Sequence, residues 1–146
     1  MKTVILAAAA ALLAAPVIAQ EAPAGPAPML VEIPELATAA SDPTCGGKPA
    51  LATRALCVST TQAAIGALVD AYSAAFSQQG WLAAGGSDNL IVYVKRREAG
   101  GCDGFQMLAF ADDAREAAPG APAWLAFAAI PGDVCAAQPA TPAPAQ

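Results

Sequence analysis

The residues with the most definite chemistry in this chain are its four cysteines. Their number is even, no two of them form a C-x-x-C pair, and the chain contains no histidine. These features favour two structural disulfides over a redox-active pair, a zinc site or a reactive thiol. The four residues are Cys45, Cys57, Cys102 and Cys135.

The absence of histidine also limits catalysis. A serine or cysteine hydrolase of the usual type needs a histidine base, so this class of enzyme is not expected. Two facing carboxylates could still hydrolyse a glycoside. The aspartates with that potential lie in sequences typical of turns, where the side chain usually accepts backbone hydrogen bonds. We therefore predict a protein that is not an enzyme and that has no cofactor and no bound metal. The aspartates are Asp88, Asp103, Asp112, Asp113 and Asp133.

One basic cluster, Lys95-Arg96-Arg97, interrupts the acidic sequence. In a strand, Lys95 and Arg97 would share one face. Two cations beside a glycine-rich turn could bind a carboxylate or phosphate of an envelope polymer. The favoured interpretation is that they are solvated charges at a strand end, which discourage pairing at a sheet edge. Lys95 and Arg97 are therefore the candidate anion-binding residues.

Two tryptophans, Trp81 and Trp124, could offer flat ring faces to a carbohydrate or a peptide. Trp81 follows the predicted end of a helix, and Trp124 opens an apolar strand. A large ring at such positions commonly closes the end of a small core, so core packing is the favoured interpretation.

The first nineteen residues have the pattern of a secretory signal peptide. A short basic start is followed by an apolar run over 4–15 and by small residues before Gln20. A transmembrane helix needs about 20 apolar residues, which this run lacks. We expect cleavage near Ala19 and a periplasmic or secreted protein without a membrane span. The alanine-rich composition favours a bacterial periplasm.

The expected mature chain is acidic. The full sequence has seven basic and twelve acidic side chains, and loss of Lys2 with the signal peptide leaves a net charge of about −6. Such a charge disfavours nucleic acid as a partner. The expected partner is an envelope protein or polymer.

The mature chain divides into a leader, one domain and a tail. Residues 20–44 form a leader rich in proline and alanine, 45–137 form the domain, and 138–146 form a flexible tail of the same composition. Within the leader, Met29 to Leu36 is apolar up to Pro34 and could form a short edge strand or a docking segment.

The domain sequence predicts one helix followed by three strands. A helical period of apolar residues covers 61–79, and Gly80 ends it. Runs of β-branched and aromatic residues cover 90–97, 105–110 and 124–130. We therefore predict an α+β fold, in which one amphipathic helix packs on a three-stranded antiparallel meander, as a small single domain cross-linked by disulfides. The apolar helix stripe comprises Ile65, Leu68, Val69, Tyr72 and Phe76.

This arrangement favours one pairing of the cysteines. In a meander, the first hairpin turn and the exit of the third strand share one end of the sheet, which brings Cys102 near Cys135. The start of the helix, with Cys57, returns to that same end, so all three pairings stay open. We favour Cys45 with Cys57 as a local loop and Cys102 with Cys135 across the sheet.

The sequence leaves more than one function open. The first hypothesis is a small exported protein with a non-enzymatic binding or accessory role in the cell envelope. The alternative is a small-ligand-binding domain with a pocket between helix and sheet, lined by Tyr72, Tyr93 and Met107. A less favoured third hypothesis is an enzyme that depends on acids or on a thiol.

Overall fold

The computed structural model describes residues 26–136. The predicted signal peptide at 1–19, the start of the predicted leader and the predicted tail at 138–146 lie outside the described residues. The elements in chain order are β1 (Ala40–Ser41), α1 (Pro49–Ala52), β2 (Leu56–Thr61), α2 (Ile65–Gln78), β3 (Leu82–Ser87), β4 (Leu90–Arg96), β5 (Cys102–Ala111) and β6 (Pro122–Ile130).

All the strands within 26–136 belong to one antiparallel sheet in the order β1-β2-β6-β5-β4-β3. Strands β3 to β6 form a meander. Strand β2 precedes α2 in the chain but pairs with β6, at the far end of that meander. Helix α2 packs on one side of the sheet, which we call the inner face; the opposite side is the outer face.

The predicted three-stranded meander is wrong. The sheet has six strands, α2 is the one substantial helix of the described range, and the domain is mostly β. The helix and the last three strands lie close to their predicted positions. The error is the omission of β1, β2 and β3.

Strand β2 shows why a local pattern was insufficient. Its serine and threonines, among them Ser59 and Thr60, are residue types that commonly cap a helix, and the sequence predicts no strand there. In the structure both residues lie in β2, opposite Trp124 and Ala123 of β6. The same polar and β-branched residues suit a half-buried strand once a partner strand is present. That partner is distant in sequence, so no local pattern reveals it.

Strand β3 was not predicted because of its glycines. Gly85 and Gly86 are typical of a turn, yet they lie within β3, and the actual turn is the two-residue loop between Ser87 and Leu90. Gly86 has φ of +151°, and a β-carbon there would collide with the carbonyl of Leu90. Gly86 therefore allows the close approach of β3 and β4.

The inner core forms between the helix stripe and the aromatic side chains of the sheet. Phe76 is completely buried, with 0% of its surface exposed. Its ring meets three sheet aromatics edge-on, with centroids 5.0 to 5.9 Å apart. Burial of such a side chain contributes about 1.5 to 3 kcal/mol, so Phe76, together with the buried Leu68 and Tyr72, holds α2 on the sheet. The three aromatics are Tyr93, Phe105 and Phe127.

The outer face of β2 and β6 is covered by a loop that the first disulfide closes. Cys45 is bonded to Cys57 of β2, with their Cα atoms 5.2 Å apart. Both cysteines are buried with Ala126 of β6 in a second, smaller apolar cluster. This is the local pairing that the sequence analysis favours.

Asp42 fixes this loop to the sheet. Its carboxylate accepts hydrogen bonds from the Thr44 hydroxyl at 2.6 Å, the Gly46 backbone N–H at 3.0 Å and the Trp124 indole N–H at 2.8 Å. These donors stabilise the charged form and lower the pKa of Asp42 from 3.8 to about 2, with the Thr44 hydroxyl as the largest cause. Gly46 is required at this point because its φ is +65° and a β-carbon would lie 2.8 Å from the Trp124 ring.

The second disulfide joins the start of β5 to the chain beyond β6. Cys102 at the start of β5 is bonded to Cys135, beyond the end of β6, with Cα atoms 5.1 Å apart. The Val134 backbone N–H also donates to the Cys102 carbonyl at 3.2 Å. The chain after β6 is therefore held against the first residues of β5.

The leader crosses the open end of the inner core without forming a strand over 29–36. Val31 is buried in the core, and Ile33 and Leu36 pack against it. The Gln79 side-chain amide at the end of α2 holds this segment through both backbone groups of Glu32. It accepts the Glu32 N–H at 2.9 Å and donates to the Glu32 carbonyl at 2.8 Å.

The Asp42 contacts predict a pH-dependent contribution to stability. The folded pKa lies below the unfolded value, so Asp42 stabilises the protein above about pH 4 and loses this effect as the pH falls towards 2. We expect Asp42→Asn to lower the free energy of unfolding at neutral pH by about 1 to 2 kcal/mol, given partial solvent screening. Urea unfolding of both proteins at several pH values measures the difference.

The difference should shrink between pH 4 and pH 2, since the wild-type carboxylate becomes protonated there. Asp113→Asn is the matched control, because Asp113 is exposed and has no hydrogen bond to another described side chain. An equal loss for both variants, or a difference that does not change with pH, would contradict this role for Asp42.

Candidate functional site

Both predicted anion-binding residues, Lys95 and Arg97, make contacts with other residues of the chain. The Lys95 ammonium donates to the Gln79 carbonyl at 2.8 Å and lies 5.9 Å from the centre of the Trp81 ring. Arg97 pairs with Asp103 at 2.7 Å. It also donates to the carbonyls of Cys102 at 2.8 Å and Gly132 at 2.9 Å. These contacts show that Lys95 and Arg97 hold neighbouring segments of the chain together. Anion binding by the two residues stays a prediction.

Among the aspartates considered for catalysis, Asp103 and Asp133 lie near Arg97 at the start of β5, and Asp112 lies beyond the other end of β5. Asp103 is paired with Arg97, and Asp112 pairs with Arg115 at 3.2 Å. Asp133 accepts the backbone N–H of Cys102 at 2.8 Å and of Cys135 at 2.9 Å, and the first of these is the main reason why its pKa is lowered. Over 26–136 no three histidine, cysteine, aspartate or glutamate residues come together as a metal site would need.

Both tryptophans are packed into the protein. Trp81 is 3% exposed and meets Phe105 edge-on at 4.9 Å between ring centres. Trp124 is 9% exposed and stacks on Phe110 of β5 at 5.6 Å. The indole N–H of Trp81 has no hydrogen-bond partner among the described residues. Neither ring is free to stack on a ligand in this conformation.

Two of the three residues predicted to line a pocket between helix and sheet, Tyr93 and Met107, instead fill the core. Each of these side chains is 2% exposed. The Tyr93 hydroxyl lies 2.6 Å from the Ser73 hydroxyl of α2, so even its polar atom is engaged. Tyr72, the third residue of that predicted pocket, lies one helical turn before Phe76 and borders a different space.

That space is an apolar cavity of about 790 Å³ beside β2, which we call the β2 cavity. Three segments surround it. The leader supplies one wall, the disulfide loop and β2 supply the second, and α2 with β6 supplies the floor. Representative side chains of the three parts are Ile33 and Leu36, Ala55 and Val58, and Tyr72 and Phe127.

The β2 cavity exists because several of the side chains that border it are small. Ala39, Ala52 and Ala55 lie where larger residues would fill the space. Leu56 borders the same space and is 46% exposed, although it is a large apolar residue in a strand. Alanine side chains are too small to fill this space, so the end of the inner core is not close-packed.

Tyr72 is the polar group at the floor of this cavity. Its ring stacks on Phe76 at 5.8 Å and meets Phe127 edge-on at 5.0 Å, which fixes its orientation. Burial raises the pKa of Tyr72 above its usual value of 10.0, so the hydroxyl stays protonated at neutral pH. Its hydroxyl makes no side-chain hydrogen bond within the described part of the chain. It can therefore donate to an acceptor on a bound molecule.

Sequence reasoning could not find this cavity. Its walls come from the leader, β2 and β6, and they meet only because β2 pairs with β6. The one available signal was the apolar stretch of the leader, whose Ile33 and Leu36 have no local partner in the sequence. A second, smaller cavity of about 300 Å³ lies beside Trp81 and an earlier part of the leader, which includes Met29.

No family model matches the chain, and neither a curated protein nor a solved structure matches it. Within 26–136 there is also no helix with the length and apolar character needed to cross a membrane. A function for the β2 cavity must therefore be argued from its own geometry.

The Arg97 contacts predict a structural effect of substitution. We expect Arg97→Ala to lower the free energy of unfolding by about 1 kcal/mol, because three acceptors on two chain segments lose a charged donor that is partly exposed. Arg54→Ala is the control, since Arg54 is exposed and its side chain contacts no acceptor in the described range. Urea denaturation measures both; equal stability of the two variants would contradict the role of Arg97.

Proposed function

We propose that this chain is an exported, non-enzymatic binding protein that holds a neutral apolar small molecule in the β2 cavity. The observation that carries the proposal is the cavity itself, with about 790 Å³ bordered mostly by apolar side chains. Ligand sites in proteins are commonly apolar concavities of about 300 to 1,000 Å³ with a few placed polar groups.

The charges around the cavity favour a neutral ligand. Glu35 borders the opening, and the described borders of the cavity contain no lysine or arginine. The chain is acidic as a whole, with a net charge of −5 over the full sequence. An anionic head group would meet a like charge without a compensating cation, whereas an alcohol, ester or ketone would not.

Tyr72 supplies the polar contact that such a ligand needs. A hydroxyl that makes no hydrogen bond to another described side chain can donate to a ligand that brings one acceptor atom. A ligand with an aliphatic or aromatic body and one oxygen would place the body against Val58 and Phe127 and the oxygen near Tyr72. The chemical class is therefore a neutral amphiphile with a single acceptor.

The two disulfides are compatible with an oxidising compartment, which supports export as part of the proposal. The predicted signal peptide at 1–19 would direct export to the periplasm or the extracellular space. In this setting the protein would carry or sequester an apolar molecule in the envelope. An accessory role towards an envelope protein or polymer is a separate proposal, for which the described surface gives no specific site.

Binding of a neutral fluorescent apolar probe, N-phenyl-1-naphthylamine, tests the proposal. We expect enhanced probe fluorescence with saturation at one site per chain, and displacement by dodecanol but much less by dodecanoate. Ala37→Phe places a ring at the border of the cavity and should weaken probe binding about tenfold, since it occupies the space of the ligand. Fluorescence titration measures both affinities.

Ala67→Phe is the matched control, because Ala67 is exposed on α2 and does not border the cavity. Its affinity for the probe should equal that of the wild type. The proposal fails if the wild type does not enhance the fluorescence of the probe, or if the two phenylalanine variants bind the probe equally well.

A further inference from the structure

The sheet has two edges that differ greatly in length. β1 forms one edge with only two residues, Ala40 and Ser41, and Pro43 follows shortly after them. β3 forms the other edge with six residues, Leu82–Ser87, and all of them are exposed. The unpaired backbone groups of such a strand can pair with another strand.

β3 lacks most of the features that normally protect a sheet edge. It contains no charged residue and no proline, and its one irregularity is a bulge at Ala84. Leu82 is 66% exposed although it is a large apolar residue. Beside it on the outer face, Val92 and Val94 of β4 are only half-buried. A strand added to β3 would pair its free backbone groups and place side chains next to Leu82, which would extend this outer-face apolar surface.

The charges of the β3–β4 hairpin indicate which strand fits. Asp88 lies in the turn at one end of the hairpin, and Arg96 lies at the other end, in β4. Both side chains are exposed, and within 26–136 neither forms an ion pair. The hairpin therefore has an acidic end and a basic end with an uncharged strand between them.

A second copy of the same chain matches this pattern. If two β3 strands pair antiparallel about a two-fold axis, the turn of each hairpin lies beside the open end of the other. Asp88 of each copy then lies at the end of the partner's hairpin that carries Arg96, about 10 Å or two strand spacings from the Arg96 backbone and within reach of the long arginine side chain, at two symmetric places. Parallel pairing would instead bring like charges together, so the charge pattern selects the antiparallel arrangement.

We propose that the protein self-associates through β3, with two copies pairing antiparallel to form one continuous sheet and with Asp88 and Arg96 forming ion pairs between the copies. The two copies would share the outer-face surface around Leu82, Val92 and Val94. This surface is remote from the β2 cavity, which lies at the opposite edge of the sheet. The proposal is therefore independent of the ligand.

Charge reversal at the two positions tests the proposal. The oxidised mature chain is studied by sedimentation velocity from low micromolar to near-millimolar concentration, where we expect the wild type to form a dimer. Asp88→Arg and Arg96→Glu each replace both attractions with repulsions, so each should weaken the dimer about tenfold. An equimolar mixture of the two variants should restore the dimer, because every contact again joins opposite charges.

Each outcome decides the matter. Both side chains are exposed, so at a concentration where the wild type is monomeric the variants should unfold at the same urea concentration, which checks that any loss of the dimer is specific. A wild type that stays monomeric at every concentration overturns the proposal. It is also overturned if either single variant dimerises as strongly as the wild type, or if the mixture stays monomeric, since the dimer would then use another surface.

Discussion

The pairing of β2 with β6 is the constraint on which the rest of the structure depends. It joins Leu56–Thr61 to Pro122–Ile130 in a register of six residue pairs. Without it the protein would be a four-stranded meander with a helix on one face. With it, the Cys45–Cys57 loop is carried onto the outer face, where Asp42 reaches Trp124 across 82 positions in the sequence. The cost of closing so long a loop is offset by the apolar surface that β2 and its loop bury.

The same pairing creates the β2 cavity. β2 extends the inner face beyond the reach of α2, so the aromatic cluster around Phe76 fills only the middle of the sheet. The leader closes the remaining end and is held at Glu32 by the Gln79 amide. Since Ala39, Ala52 and Ala55 contribute little volume there, space remains above Tyr72 and Phe127. The open end of the core and the candidate site are thus one consequence of where β2 lies.

The sequence predicted the parts of this fold that are encoded locally. The spacing of Leu68, Tyr72 and Phe76 identifies α2, and β-branched or aromatic runs identify β4 to β6. β3 was missed because alanine and glycine carry no strand signal. β2 was missed because its partner is far away in the chain. For Asp42, the sequence Asp-Pro-Thr is typical of a local turn, but its bond to Trp124 depends on the tertiary fold. The β2 cavity needs three distant segments at once, which no local pattern describes.

The most direct test of the β2–β6 pairing is a nuclear Overhauser spectrum of the isotopically labelled, oxidised chain. The structure predicts backbone contacts between Val58 and Leu125 and between Thr60 and Ala123, together with slow amide exchange at the centre of β2. If these contacts are absent and residues 56–61 have helical chemical shifts or fast exchange, the sheet does not extend to β2. The walls of the β2 cavity would then not exist, which would contradict both the six-stranded sheet and the binding site that depends on it.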